Sequence, residues 1–295
     1  MIDRAIVATD LSEASDVMIA NLGTVKAFGV KKLLLLQCPS FQEVTSQMYP
    51  YEVTYQSDIM EKEKKALVEQ GFEVETKISP GNAKREINRI AQDEDIPLVI
   101  VGSRGHSLIG GAFLGGVASE VILNSRKPVL IMRLEVAPEK GLVFTGAGGP
   151  GLVSNILYAT DFSPASEKAF ETLLDITAQG DVGEITLLHV QDQNRFDPHL
   201  LERLEEFNAI DKNRLLKLEV ALEEKGVKKV TREVVYGEPY VEIMRSLEKS
   251  GASLVLLGSQ GRGFLRELFV GSVSQYIARR SHCSVLLVPS TEKAE

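Results

Sequence analysis

One passage of this chain occurs twice, half a chain apart. Val101-Gly102-Ser103-Arg104-Gly105 returns as Leu257-Gly258-Ser259-Gln260-Gly261, and both passages run on to a second glycine site, Gly115-Gly116 and Gly271-Ser272. A repeat of this length requires two similar folds in tandem. Each difference between the copies becomes an internal comparison. At 295 residues the chain has the length of two domains, each of roughly 150 residues and large enough to bury its own core.

The flanking segments repeat as well. Arg4-Ala5-Ile6-Val7-Ala8-Thr9-Asp10 matches Ile156-Leu157-Tyr158-Ala159-Thr160-Asp161, and each is followed by a serine, Ser12 or Ser163, placed to cap a helix. Helical stretches are expected over 13–28 and 164–179, then second strands at Leu33–Leu36 and Ile185–Val190. Charged amphipathic helices follow at 53–70 and 199–225, then third strands at 72–78 and 229–235. Further helices start after Pro80-Gly81 and Gly237-Glu238-Pro239. The fourth strands, 97–102 and 253–258, are continuous apolar runs, as expected for strands covered on both faces. Helices near 115–125 and 271–280 lead to last strands at 128–132 and 284–288.

Alternating strands and helices imply an α/β fold: two tandem doubly wound, five-strand parallel-sheet domains with right-handed crossovers. The expected boundaries are 1–136 for the first domain, 137–152 for a connector and 153–290 for the second. The dense glycines of 141–151 mark the connector and read as a flexible link. A phosphate-binding loop is the competing reading, but no Lys-Ser/Thr follows.

The net charge of −8 argues against broad affinity for nucleic acid or anionic membrane. Cys38 and Cys283 fall at non-equivalent places in the repeats, which argues against a disulfide framework. The amino terminus has no basic head and apolar signal region, and no apolar run reaches membrane-spanning length. The chain reads as soluble and cytoplasmic.

Ligands of doubly wound sheets bind beyond the carboxyl ends of the strands. There the chain places Asp10 and Asp161 after the first strands and the glycines after the fourth. Gly258 and Gly261 are expected to turn at positive φ and let backbone approach a ligand. The helix opening at Gly271-Ser272 offers unpaired amides and a positive dipole end to an anion, and Ser272 and Ser274 add hydroxyls. A phosphate chain suits this cradle, with ribose and base over the ends of strands one and two. The plainer alternative makes the glycines turn residues and Ser272 a helix cap. The full Gly-x2-Gly-x9-Gly-Ser spacing after a fourth strand favours the nucleotide reading.

On these residues the chain resembles the universal stress proteins in their tandem two-domain form, over both repeats but not the connector. The resemblance implies Rossmann-like domains of the adenine nucleotide alpha hydrolase-like type. Gly258, Gly261, Gly271 and Ser272 match the motif of the family's nucleotide-binding branch. By the same resemblance Asp161 falls near the ribose, and Val190 meets the adenine edge through its backbone. Ala159, Thr160, Gln260, Arg262, Val273 and Ser274 fall at flanking contacts. The first repeat offers a weaker candidate: Ala8, Thr9, Asp10, Cys38, Gly102, Arg104, Gly105, Gly115, Gly116 and Val117. There Gly116 stands in place of the hydroxyl residue, and Ala118 stands opposite Ser274. Losing two donors corresponds to roughly ten- to a thousandfold in triphosphate affinity. The implied ligand is ATP, ADP or AMP, with Mg²⁺ accompanying ATP.

No residue is assigned a catalytic or metal-ligating role. The four histidines, His106, His189, His199 and His282, show no paired ligand spacing. His189 reads as a hydrogen-bonded core residue, and His106 lies opposite Arg262, within reach of a phosphate. Cys38 reads as a strand-end packing residue rather than a redox sensor, and Glu61–Lys65 as a solvated helix face. The leading function is a regulatory or stress-response nucleotide-binding protein. The alternatives are a slow ATPase or nucleotidyl-transfer enzyme on the same fold, or a structural interaction module that binds no nucleotide.

Each repeat ends in an apolar strand that would leave a bare sheet edge if alone. Stress-protein domains pair through this strand, which implies an intramolecular pseudo-twofold dimer and leaves room for a homodimer; the sequence names no protein partner. A disulfide cross-link between cysteines introduced in 129–132 and 284–288 should form readily under oxidation. Cross-linking no faster than between the two first strands overturns the pairing.

Overall fold

The computed structural model describes residues 2–39, 49–105, 114–137, 139, 141–145, 151–180, 182–192, 204–261 and 270–290. The chain divides into two units, Met1–Gly149 and Pro150–Glu295.

In the first unit, β1 (Arg4–Thr9), β2 (Lys32–Gln37), β3 (Glu73–Ile78), β4 (Leu98–Gly102) and β5 (Val129–Met132) form a parallel sheet in the order β5-β4-β1-β2-β3. Its helices are α1 (Glu13–Ala20), α2 (Tyr49–Glu69), α3 (Ala83–Asp93) and α4 (Gly116–Asn124). The strand order reverses between β1 and β4, and the crevice above that point is where the glycines and aspartate shared by the two repeats were expected. Ile6, Val7, Leu35 and Val99 are fully shielded from solvent, which accounts for the continuous apolar runs.

The second unit repeats this plan. Its parallel sheet comprises β8 (Asn155–Thr160), β9 (Glu184–Asp192), β10 (Lys229–Gly237), β11 (Leu254–Gly258) and β12 (Ser284–Val288), in the order β12-β11-β8-β9-β10. Its helices are α5 (Pro164–Thr177), α6 (Leu204–Glu224), α7 (Pro239–Ser250) and α8 (Ser272–Arg280). Among the described residues no helix is long and apolar enough to cross a membrane.

Two segments differ from the sequence reading. The single helix expected over 13–28 stops at Ala20 and continues as a 3-10 helix, Leu22–Phe28. Asn21 Nδ2 donates to Val17 O (2.8 Å) and Thr24 Oγ1 to Asn21 O (2.8 Å). These bonds, with Gly23 and β-branched Thr24 and Val25, compete with the α-helical ladder. The connector is not wholly irregular either. β6 (Leu134–Ala137) and β7 (Gly141–Phe144) pair as an antiparallel hairpin. Leu134, Leu142 and Phe144 are buried whereas Val136 is exposed, a period-two pattern hidden in the sequence by the nearby glycines. Ser103 Oγ accepts from Leu134 N (2.9 Å), and Arg104 Nε donates to Leu134 O (3.0 Å), so the hairpin is pinned to the first unit's glycine loop.

The inner face of α2 carries a charge. Glu63 lies between Met60 and Leu67 and is only 2% exposed. Its Oε1 accepts from Thr9 Oγ1 (3.0 Å), while Oε2 is buried without a partner. Burial, with smaller contributions from Asp16 and Asp10, outweighs the Thr9 hydrogen bond and pushes its carboxyl from 4.5 to about 7. The folded state therefore holds this proton more tightly than the unfolded chain. Glu63 loses stability as pH rises from about 4.5 through 7, on the order of 1–3 kcal/mol. Glu63→Gln, which mimics the protonated form, should match the parent at pH 5 and exceed it in denaturant midpoint at pH 8. Stability differences that stay constant across that range would contradict a buried titrating carboxyl.

Candidate functional site

The corner after the first strand makes the same backbone turn in both units. Thr160 Oγ1 accepts from Phe162 N (2.9 Å) as Thr9 Oγ1 accepts from Leu11 N (3.0 Å). Phe162 and Leu11 both adopt left-handed backbone, φ 57 and 59, a cost of order 1–3 kcal/mol for non-glycine residues that persists where surrounding structure demands it. The corner turns Asp161 and Asp10 upward from the sheet. Asp161 Oδ1 accepts from Ser163 N (3.0 Å), and Asp10 Oδ1 accepts from Ser12 N (3.2 Å), Ser12 Oγ and Ser15 Oγ (2.8 Å). Ser163 and Ser12 cap the helices that follow, as expected.

The glycines face these aspartates, but not for the reason expected. Gly102, Gly105, Gly258 and Gly261 do not have positive φ. A Cβ on Gly258 would lie 2.7 Å from Ala165 C and Ser166 N, in the backbone of α5's first turn. One on Gly261 would lie 2.8 Å from Asp161 Oδ2, and one on Gly105 would strike Asp10 Oδ2. The loop thus needs glycine because a carboxylate and a helix backbone press on it. Gly271 and Gly115 differ: added Cβ atoms there make only ordinary contacts, and at Gly116 nothing lies within 4 Å.

The glycine loop leads to a helix start without a side-chain cap. Gly271 is the N-cap of α8 and Gly115 that of α4, and neither helix has a side-chain cap. Ser272 is therefore the first helical residue, not the cap, and is exposed. Gly271 N donates to Ser259 O (2.7 Å) and Gly115 N to Ser103 O (3.0 Å), fixing the turn the same way in both units. Gly271, Ser272, Val273 and Ser274 line the crevice, which puts the first turn of α8 and the positive end of its dipole at the crevice wall. Ser274 departs from the expected role. It is buried and its Oγ donates to Gly258 O (2.8 Å), so that proton staples α8 to the end of β11.

In the second unit these pieces enclose a cavity of about 740 Å³, within the usual range for small-molecule sites. Ala159, Thr160, Asp161, Val190, Gly258, Gln260, Gly261, Gly271, Ser272, Val273 and Ser274 all line it. Thr160 pairs with His189, and β9 then continues through Val190, Gln191 and Asp192 beside β10. Val190 therefore stands beyond the last residue of β8, with one backbone edge over the crevice. Arg262 and His106 lie outside the described residues. In the first unit Ala8, Asp10, Cys38, Gly102, Arg104, Gly105 and Gly115 are half-buried, Thr9 is buried, and Gly116 and Val117 are exposed. Burial pushes the Cys38 thiol up to about 12, an unreactive state that suits packing.

Sequence reasoning missed one wall of the cavity. Phe207, Ile210, Asp211 and Arg214 of α6 line it together with His189 and Gln191. His189 is buried and hydrogen-bonded, as expected: its Nδ1 lies 2.7 Å from Thr160 O, and its Nε2 3.4 Å from Asp211 Oδ2. The Phe162 ring stacks on His189 at 4.6 Å between centroids, with the Arg214 guanidinium 4.9 Å from its centre. The missed signal was the spacing 207, 210, 211, 214, one face of a helix. Expected only as part of a charged amphipathic helix, that face lines a cavity. Among the described residues no group of three or more His, Cys, Asp or Glu could hold a metal ion.

The model of the Universal stress protein family matches residues 1–133 and 153–289. Universal stress protein MJ0577 of Methanocaldococcus jannaschii is 31% identical over 162 residues, covering 46% of this chain and 95% of that protein. Universal stress protein YxiE of Bacillus subtilis is 31% identical over 150 residues, covering 46% and 99%. Each of these relatives thus corresponds to about half of the chain. The crystal structure of a universal stress protein from Archaeoglobus fulgidus covers 99% of this chain and 98% of its own at a TM-score of 0.70 and 22% identity, a likeness of fold. With both repeats matched and the fold shared across the full length, the chain belongs to the universal stress protein family.

Proposed function

We propose that the second domain binds an adenine nucleotide over the ends of β8, β9 and β11, and that the protein acts as a regulatory or stress-response binding protein. The observation that carries this reading is the cavity in which an uncapped helix start, Gly271-Ser272, stands opposite Asp161 and the end of β9. The first-turn amides of α8 supply donors and positive potential for phosphate oxygens. Gly271 adds no side chain before those amides, and Ser272 is exposed beside them. Asp161 is an acceptor suited to ribose hydroxyls, and the backbone of Val190 offers an edge to the base. Mg²⁺ would enter with ATP, held chiefly by phosphate oxygens.

Ser272 is the hydroxyl left for the outer phosphates once Ser274 is committed to Gly258 O. Ser272→Ala should weaken ATP by about three- to tenfold and AMP by less, the range of one hydrogen bond. At the first domain's site, Gly116→Ser should strengthen ATP, since a side chain there meets nothing within 4 Å. Site-resolved calorimetric titration checks both, and equal losses for ATP and AMP would reduce Ser272 to a helix residue without a phosphate role. Turnover of ATP with Mg²⁺ should stay below about 1 per second, the low end of ordinary enzymes, because among the described residues the cavity wall pairs no nucleophile with a base. Steady-state phosphate release measures it, and a faster rate would make the protein an enzyme.

A further inference from the structure

The wall formed by β9 and α6 has an unmet hydrogen-bond requirement. Gln191 is 3% exposed and lines the cavity. Its Nε2 donates to Asp211 Oδ2 (2.9 Å), and its Oε1 is buried without a partner. A carboxylate accepts but does not donate, so the amide cannot turn over without setting oxygen against oxygen. Asp211 is itself steadied by His189 Nε2 (3.4 Å) and Arg214 Nη1 (3.5 Å). The result is a carboxamide locked as an acceptor, one residue beyond the strand position whose backbone faces the base. A buried acceptor left unpaired costs about 1–3 kcal/mol, which a ligand donor would recover.

We propose that Gln191, oriented by Asp211, is a specificity-determining residue that selects a base carrying an exocyclic amine, and so favours adenine over hypoxanthine nucleotides. This deepens the nucleotide reading above and rests on it. The adenine amine donates toward Gln191 Oε1, whereas the carbonyl of hypoxanthine at the same ring position opposes oxygen to oxygen. Gln191 is the reading group and Asp211 the positioning residue. The first domain lacks both. Gln37 pairs with Thr9 as His189 pairs with Thr160, so Pro39 occupies the place of Gln191. Counting back from Gly71 and Gly226, which end the matching helices, Gln56 occupies the place of Asp211.

The test compares AMP with IMP by calorimetry on the full chain, parent and two near-isosteric variants. The parent's second site should favour AMP by tenfold or more. Gln191→Met removes the acceptor and should lower AMP affinity about tenfold, while IMP, relieved of the opposed oxygen, binds no more weakly than to the parent. Asp211→Asn frees the amide to turn and should bring AMP and IMP within about threefold, a change of ratio that a purely structural role would not produce. Thermal melts establish that the variants fold. In the unmodified protein, the Gln191 carboxamide NMR signal should shift with AMP and not with IMP. An AMP-to-IMP ratio unchanged in both variants, or a Gln191 signal indifferent to AMP, overturns this inference while leaving nucleotide binding intact. Binding of neither nucleotide to the parent overturns the nucleotide reading, and this inference with it.

Discussion

The contact on which the site depends is the close approach of the strand-one corner to the glycine loop. Asp161 Oδ2 lies against Gly261, and the backbone of Ala165 and Ser166 against Gly258. Both contacts occur where the sheet order reverses, between the strand that starts each domain and its fourth strand. A side chain at either glycine would separate the two loops and open the crevice. The strained residues at 11 and 162 belong to the same constraint. Left-handed backbone turns the aspartate up from the sheet and sends the chain directly into a capped helix. The geometry of carboxylate, glycine loop and helix start is therefore one rigid object rather than three independent features.

Much of this was legible in the sequence because it rests on periodicity and punctuation. Continuous apolar runs marked the covered strands, Ser12 and Ser163 marked helix starts, and the repeat located the strand-end loops. What was not legible depended on contacts across the fold. The glycines were expected for positive φ, but their need arises from partners far away in sequence, Asp161 and the α5 backbone. Ser274 looked like a free hydroxyl until Gly258 O was found within 2.8 Å. The hairpin at 134–144 was obscured because both strands are only four residues long and the second opens the glycine-rich segment. Glu63 read as part of a solvated charge run, and only the packing of α2 shows one of those charges turned inward.

The two domains also resolve the same local problem with different partners. In the second, Thr160 Oγ1 donates to Ser166 Oγ (3.1 Å). In the first, Thr9 Oγ1 donates to Glu63, and the matching Ser15 turns instead to Asp10 Oδ1. The first domain thus ties its strand-one corner to a titratable group on α2, while the second ties it to a neutral hydroxyl on α5. A proton at Glu63 changes what holds the corner of one domain and leaves the other untouched.

These comparisons separate framework from function. The left-handed residue, the aspartate against glycine and the glycine amide bonded to a serine carbonyl are common to both domains. The residues that differ are Gln37 for His189, Pro39 for Gln191, Gln56 for Asp211 and Gly116 for Ser272, and the second domain's four all line its cavity. Half of the glycine spacing is thus demanded by packing, whatever the crevice holds. The spacing alone reports the fold, and the chemistry of a ligand must be read from the walls. In the second domain those walls combine a helix start suited to anions with a fixed acceptor beyond strand two. A phosphate at one end and a donor-bearing base at the other satisfy both requirements with a single molecule, and this coincidence, more than the motif, favours a nucleotide.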